Sequence, residues 1–322
     1  MQRFLSFFVL VALLVCIVIS VHAETEFTFD DGRDVPLFDP AKAMTELEIP
    51  DSPTVLPIDF SPGLGPWKDH YLSDWEYKDP TIHVSIARNR TEDCTYWVAD
   101  IRIADASQLR TASADGFDSN MVMPGTALAE RVHAIVACDG DYFCYTRKGY
   151  IIRQGHLYLD KIHGGRDLLL IDEDGDFHII RKADRHDGRE EINGKKVINC
   201  FFFGPVLVEH GELGVDFRYS DMAYKEKAQR ICIAQVDKLH YQIICCEAPF
   251  RGSAGMTLKQ FAQFVQSLGV GTAYNLDGGD STMLLFRGEK VNDVNNPHTR
   301  DIADIIYFAS SWNPDAEGTD TN

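Results

Sequence analysis

Residues Tyr274 to Phe286 read YNLDGGDSTMLLF. An apolar lead, Gly269 to Tyr274, runs into Asn275-Leu276-Asp277, two glycines, a second acid, two hydroxyl residues and an apolar, strand-like run. Glycines in series let the backbone reach φ > 0 and bring amides close to a ligand. Asp277 and Asp280 flank Gly278 and Gly279, and Ser281 and Thr282 follow. A buried strand needs no such polar turn, so the stretch is a candidate site between two strands. The plainer account is a tight turn whose aspartates cap its own amides, and a short motif alone does not choose between the two.

Just upstream is the clearest helix signal. Thr257-x-x-Gln260 forms a capping box, Leu258, Phe261, Ala262, Val265 and Leu268 share one face, and Gly269 ends the run. Downstream, Arg287-Gly288 marks a hairpin, Val291 to His298 a polar loop, and Arg300 to Phe308 a charged turn with a final strand.

Earlier segments read as strands. Ile82, Val84 and Ile86 alternate with polar residues, and Tyr96 to Ile103 follows in the same way. Leu128 to Val136 reads as an apolar strand leading into Ala137-Cys138-Asp139-Gly140-Asp141-Tyr142-Phe143, a second acid-bearing turn. Leu168 to Ile171 and Phe177 to Ile180 form a predicted hairpin about Asp174-Gly175. Its acids lack the calcium-loop spacing, so a plain turn is expected there. Val197 to Phe203 and Val206 to Val208 flank Gly204-Pro205, and Arg230 to Val236 precedes Tyr241 to Cys246 as a strand pair. The predicted class is α+β: a strand-rich mixed sheet domain with few helices.

Residues 24–80 are acidic and proline-bearing and read as a linker, with Trp67, Tyr71, Trp75 and Tyr77 as a patch that packs on the main domain. The main domain is expected over 81–310 and an acidic tail over 311–322. Phe4 to Val21 is an apolar run of 18 residues behind Arg3, and Val21-His22-Ala23 resembles a cleavage site. Residues 1–23 therefore read as a secretory signal peptide, with membrane anchoring by 4–21 as the alternative. Either places the rest in a secreted or cell-surface location.

The net charge of −18 argues against nucleic acid and anionic membrane as partners. An anionic substrate then needs a local cluster of cations. Seven cysteines lie beyond the leader, an odd number, and Cys138 with Cys144 flank a turn as the first disulfide to test. There is no repeated C-x-x-C, so no zinc site is expected.

Three acid-bearing turns, at 139–141, 277–280 and 301–304, stand at strand ends and are predicted to share one cleft. Paired carboxylates are the usual equipment for glycoside cleavage. Arg230 and Arg300, each heading a strand, suggest an oxyanion or phosphate subsite, although Arg300 paired with Asp301 or Asp304 is the blander reading. The acids alone would also suit a divalent metal, but no imidazole lies at ligand spacing, and no cofactor is expected.

The ordered set AIVACDGDYF, FFFGPVLV, QRICIAQ, the capped helix, NLDGGDSTMLL and RDIADIIYF resembles the phosphodiester glycosidase family over about residues 81 to 310. That family includes an enzyme that removes N-acetylglucosamine from a phosphodiester, and its bacterial members are often secreted and linked to exopolysaccharide. The family's Asn-Gly-Asp-Tyr-Phe block falls on Asp139 to Phe143, and its Asn-Leu-Asp-Gly-Gly-Gly-Ser block on Asn275 to Ser281. Its arginine-bearing strand falls on Arg230, and its closing turn on Arg300 and Asp304. Asp139 stands where Asn is usual, Asp280 where a third glycine is usual, and Ala234 replaces a glycine. Each extra acid would repel a phosphate unless neutralised.

The resemblance implies hydrolysis of a sugar-1-phosphodiester, with a glycan or sugar phosphodiester as partner. Asp277, Asp141 and Asp304 are the expected catalytic acids. Asp139, Tyr142, Arg230, Asn275, Gly278, Gly279, Asp280, Ser281 and Arg300 are the expected substrate contacts, with the Gly278, Gly279 and Ser281 amides cradling phosphate. A non-catalytic surface module that binds polysaccharide and a metal-dependent phosphodiesterase are the alternatives.

Overall fold

The computed structural model describes residues 29, 31–40, 47–48, 53–163, 165–214, 225–247, 249–250, 252–292 and 299–315. The leader and anchor readings, the 293–298 part of the polar loop, and most of the tail lie outside these residues. The chain divides into two units, 1–34 and 35–322. In the first, the described residues make a local turn in which Arg33 pairs with Asp31 at 2.8 Å.

Among the described residues, the second unit carries three large sheets. The nine-stranded sheet runs, edge to edge, Tyr71–Ser73, Glu76–Asp79, Ile82–Arg90, Thr95–Ile103, His240–Cys246, Arg230–Asp237, Thr272–Asn275, Val206–Glu209 and Glu212–Leu213. A five-stranded sheet orders Glu289–Lys290, Leu284–Phe286, Val136–Asp139, Asp304–Phe308 and Leu109–Ser113. A six-stranded sheet orders Phe177–Ile180, Leu168–Asp172, Lys195–Phe201, Gly149–Arg153 and His156–Lys161, with Glu191–Ile192 beside Lys195–Phe201. The architecture is α+β with few helices, as the alternating pattern predicted. Its ladders are antiparallel rather than mixed.

The central core forms where one face of the nine-stranded sheet meets both smaller sheets. Alternate strand positions supply it: Val84, Ile86, Trp97, Ile101, Ile231, Ile233 and Ile243 pack with Val136, Ile306 and Phe308 of the second sheet and Leu169, Ile171 and Phe201 of the third. The opposite face of the large sheet is covered by the helix Leu258–Ser267, through Leu258, Phe261, Ala262 and Val265. Its capping box is formed by Thr257 and Gln260.

The two strands expected around Gly204-Pro205 form, Lys195–Phe201 in the six-stranded sheet and Val206–Glu209 in the nine-stranded one. Three expectations change. Residues 125–131 form a helix, Gly125–Arg131, in place of the strand expected from Leu128. Ala, Leu, Glu and Arg favour helix, and the strand begins only at Val136. The folded body also starts well before residue 81. Tyr77 is fully buried, Leu56 is buried, and the buried Arg110 donates to the carbonyls of Pro57, Asp59 and Ser61. The aromatic patch does pack on the domain, as Tyr71 against Phe286 and Trp75 against Trp97 show. Finally, Cys138 and Cys144 are free thiols. Cys138 is directed by the strand pleat into the central core, whereas Cys144 packs in a separate cluster on the short helix Phe143–Thr146. The thiols that do meet are Cys94 and Cys246.

Candidate active site

Strand ends from all three sheets converge on one cleft. The strand Val136–Asp139 delivers Asp139, Gly140 and Asp141, and its antiparallel neighbour begins with Asp304, in register so that Ile305 faces Asp139. The nine-stranded sheet contributes Asp277, two residues past the end of the strand Thr272–Asn275, and its N–H reaches the Gly140 carbonyl at 3.3 Å. Asp139, Asp141, Tyr142, Asp277, Ser281 and Asp304 all line the cleft. Arg300 joins them through Asp277 and Ser281.

Arg300 is the exposed cation of the site, with 40% of its side chain accessible. Its Nη2 donates to Asp277 Oδ2 at 2.9 Å and its Nε to Ser281 Oγ at 2.5 Å. Its guanidinium carbon lies 5.5 Å from the Tyr142 ring centre, within cation–π range. Its backbone N–H donates to the Asp280 carbonyl at 3.1 Å, which ties the two turns together. Burial works against the Arg300 charge, but Asp277 more than offsets this and raises its pKa. Burial likewise lifts the Asp277 carboxyl above the ordinary range, while Ser281 and Arg300 hold it back.

Asp141 and Asp304 form a second, deeper group. Asp304 Oδ1 accepts the Asp141 N–H at 2.9 Å, and the Asp304 carbonyl accepts the Gly140 N–H at 3.1 Å. Asp141 Oδ2 accepts the Phe202 N–H at 2.7 Å, and Oδ1 its neighbour Tyr142 N–H at 3.0 Å. Between them lies Arg153, fully buried, with Nη2 at 3.1 Å from Asp304 and 3.6 Å from Asp141. Its Nη1 donates to the carbonyls of Ile152 and Cys200, and its guanidinium sits 4.0 Å from the Phe201 ring centre. Burial pushes the Asp304 carboxyl up to about 7, against the pull of Arg153 and with repulsion from Asp141 added.

Arg153 is a member of this group that sequence reasoning missed. It ends a strand just before a Gln154-Gly155 turn, where a charge normally reads as solvent-facing. Tyr145 was missed too: its ring stacks on Tyr142 at 4.5 Å and 24°, and it is exposed at the cleft rim.

Other expected substrate contacts lie elsewhere. The Arg230 guanidinium donates to the carbonyls of Met256 and Glu226, which makes it a clamp on backbone. Asn275 is buried and donates to the Gly204 carbonyl, pinning the crossover between two sheets. The Gly279 N–H is taken by the Gln229 carbonyl and the Ser281 N–H by the Gly278 carbonyl, so these two amides cradle no ligand. The glycines instead allow close backbone approach. Gly279 has φ +61°, and a Cβ on Gly278 would lie 3.0 Å from the Gln229 carbonyl oxygen. Asp280 is exposed, with its carbonyl on Arg300. Among the described residues, no group of three or more His, Cys, Asp or Glu side chains is disposed to hold a metal ion.

Sequence and fold comparisons place the chain in a known class. The phosphodiester glycosidase family model matches residues 132–309, more than half of the chain, and the chain belongs to that family. The match contains all of the cleft residues named above. Among solved structures, the fold is similar to the catalytic domain of zebrafish N-acetylglucosamine-1-phosphodiester alpha-N-acetylglucosaminidase, described as auto-inhibited by its pro-peptide. The TM-score is 0.59 at 17% identity, over 72% of this chain and 85% of that one. A hypothetical protein from Synechocystis aligns with a TM-score of 0.49 at 16% identity, over 70% of this chain and 62% of that one. No curated protein matches in sequence. No helix among the described residues is long and apolar enough to cross a membrane.

Proposed function

We propose that the chain is a secreted or cell-surface hydrolase that cleaves a sugar-1-phosphodiester, releasing free sugar and a phosphate monoester. One observation carries this reading: Arg300, Asp277 and Ser281 form a hydrogen-bonded cluster at the mouth of a cleft whose floor holds Asp141. A guanidinium has five N–H donors, and two are used in these bonds. The remaining ones suit a phosphate, whose departure from the anomeric carbon as a monoester requires positive charge more than a strong general acid.

Asp277 is the group best placed to activate water. Its carboxyl sits above the ordinary range because of burial, which brings its basicity nearer to neutral pH. Asp141 has both oxygens tied to backbone N–H groups, so it acts as a fixed negative charge facing an oxocarbenium-like state. Asp304 positions Asp141 through its N–H and does not meet substrate itself. The stacked Tyr142 and Tyr145 rings offer a flat apolar platform for a sugar face. The cavity in the cleft is about 10 Å³, the room of a single water, against the ~300–1,000 Å³ of pockets that bury whole ligands. Sugar and aglycone therefore rest at the cleft rim, with only the attacking water inside.

A panel of sugar-1-phosphodiesters, assayed for free sugar in oxygen-18 water, tests this. Label in the released sugar supports cleavage at the anomeric carbon, and label in the phosphate rejects it. Glycan binding without any turnover across the panel would make the chain a binding module.

A further inference from the structure

Asp139 is buried to 1% exposure at the back of the cleft, and its two oxygens are not alike. Oδ1 accepts the Met283 N–H at 2.9 Å. Oδ2 is inaccessible and has no hydrogen-bond partner among the described residues. The two guanidinium groups of the site bond other side chains: Arg153 pairs with Asp304 and Asp141, and Arg300 with Asp277 and the Ser281 hydroxyl. The groups facing Asp139 are otherwise acidic or neutral. They are Asp277 from the turn after Thr272–Asn275, Asp304 from the paired strand, Asp141 and Cys144 downstream in its own segment, and Asp301 in the loop before Asp304. Cys138 lies beside it in the strand.

An ionised carboxylate in that place would bury a charge with one N–H as compensation and a bare oxygen beside further acids, an arrangement the folded state strongly disfavours. We propose that Asp139 stands in the cleft wall as a neutral carboxylic acid, a positioning residue that keeps one negative charge away from the anion that Arg300 recruits. A protonated carboxyl offers one donor and one carbonyl acceptor, the same pair that an Asn side chain offers. This accounts for an acid at a position where the family resemblance leads one to expect Asn. The clustered carboxyls then present one fewer negative charge to a phosphodiester. Burial, and after it the Asp277 charge, raise the Asp139 carboxyl well above the ordinary range, in agreement with the geometry.

Anion capture by this chain is therefore gated by pH. Below the Asp139 titration the neutral acid leaves the anion unopposed, and above it a carboxylate repels the anion. The choice of anion rests on the hydrolase reading; the place of the proton does not.

Two measurements on the full chain separate these. The first is an infrared difference spectrum of wild type against Asp139→Asn at neutral pH, without substrate. A lost carboxylic-acid carbonyl band supports the proposal, and a lost carboxylate band overturns it. The second is dimethyl phosphate affinity across pH, since that probe keeps a single charge throughout. Wild type should lose about tenfold or more on the alkaline side, the size expected when one further charge comes within a few ångströms, while the variant stays level. Parallel curves overturn the gate. If neither protein binds the phosphodiester, the hydrolase reading and the gate fail together, and the infrared band still decides whether Asp139 holds the proton.

Discussion

Arg153 and Asp304 form an ion pair with both side chains at or below 1% exposure, Nη2 to Oδ2 at 3.1 Å. The pair joins the six-stranded sheet to the five-stranded one directly beneath the cleft. Removing one member of such a pair leaves an uncompensated buried charge, at a cost of ~3–5 kcal/mol. Arg153→Met should destabilise by that order in a denaturant titration, because Asp304 and Asp141 would lose their shared cation. A loss below about 1 kcal/mol, the range of solvated pairs, would show that the pair does not hold the sheets together.

Gly140 explains why this turn tolerates no side chain. A Cβ there would lie 2.7 Å from the Asp304 carboxyl carbon and from both its oxygens. Gly140→Ala must push Asp304 away from the Asp141 N–H, and overpacking of this kind costs ~1–3 kcal/mol. The variant should remain folded by circular dichroism and lose at least about tenfold in kcat, as misplaced catalytic groups do. Unchanged kcat would mean that the Asp304 position is irrelevant to the cleft.

Much of the framework around the site was legible because its signals are local. Alternation gave Ile82–Arg90 and Thr95–Ile103, Asp174-Gly175 gave its hairpin, and Thr257 with Gln260 gave the helix start. The convergence of Asp141, Asp277 and Arg300 followed from acids at strand ends. Arg153 was not legible, because its partner Asp304 is 151 residues away and nothing nearby requires a cation. The glycines of the Asp277 turn misled for a related reason. They serve the Gln229 backbone, a neighbour that the turn's own residues do not announce.

Asp304 also makes stability depend on pH. Its folded carboxyl sits at about 7, raised from 3.8 chiefly by burial, so the folded state binds this proton more tightly than the unfolded chain. That contribution is complete below pH 3.8 and is lost as pH rises through about 7. The denaturant midpoint should therefore fall between those values and level off above them. Repulsion within a chain of net charge −18 acts in the same direction, but high salt screens it. Asp304→Asn in high salt should make the profile shallower, with Asp139 and Asp277, also raised by burial, supplying the slope that remains. A wild-type midpoint that climbs across this window would contradict the burial argument.

Asp277 and Arg300 should separate chemistry from binding. Asp277→Asn keeps an oxygen for Arg300 and removes the proposed base, so kcat should drop ~10²–10⁴-fold, the range for a lost general base. Folding should survive, since Asn matches Asp in shape and its oxygen can keep the hydrogen bond from Arg300. Arg300→Gln removes the cation proposed to meet the phosphate and should cost ~10²–10³-fold in kcat/KM, comparable to the loss of an oxyanion donor. The two residues share a hydrogen bond at 2.9 Å, so the double variant should lose less than the product of the single losses. Full multiplicativity would mean that Arg300 acts on the substrate without help from Asp277. Full activity in Asp277→Asn would move the role of base to another residue.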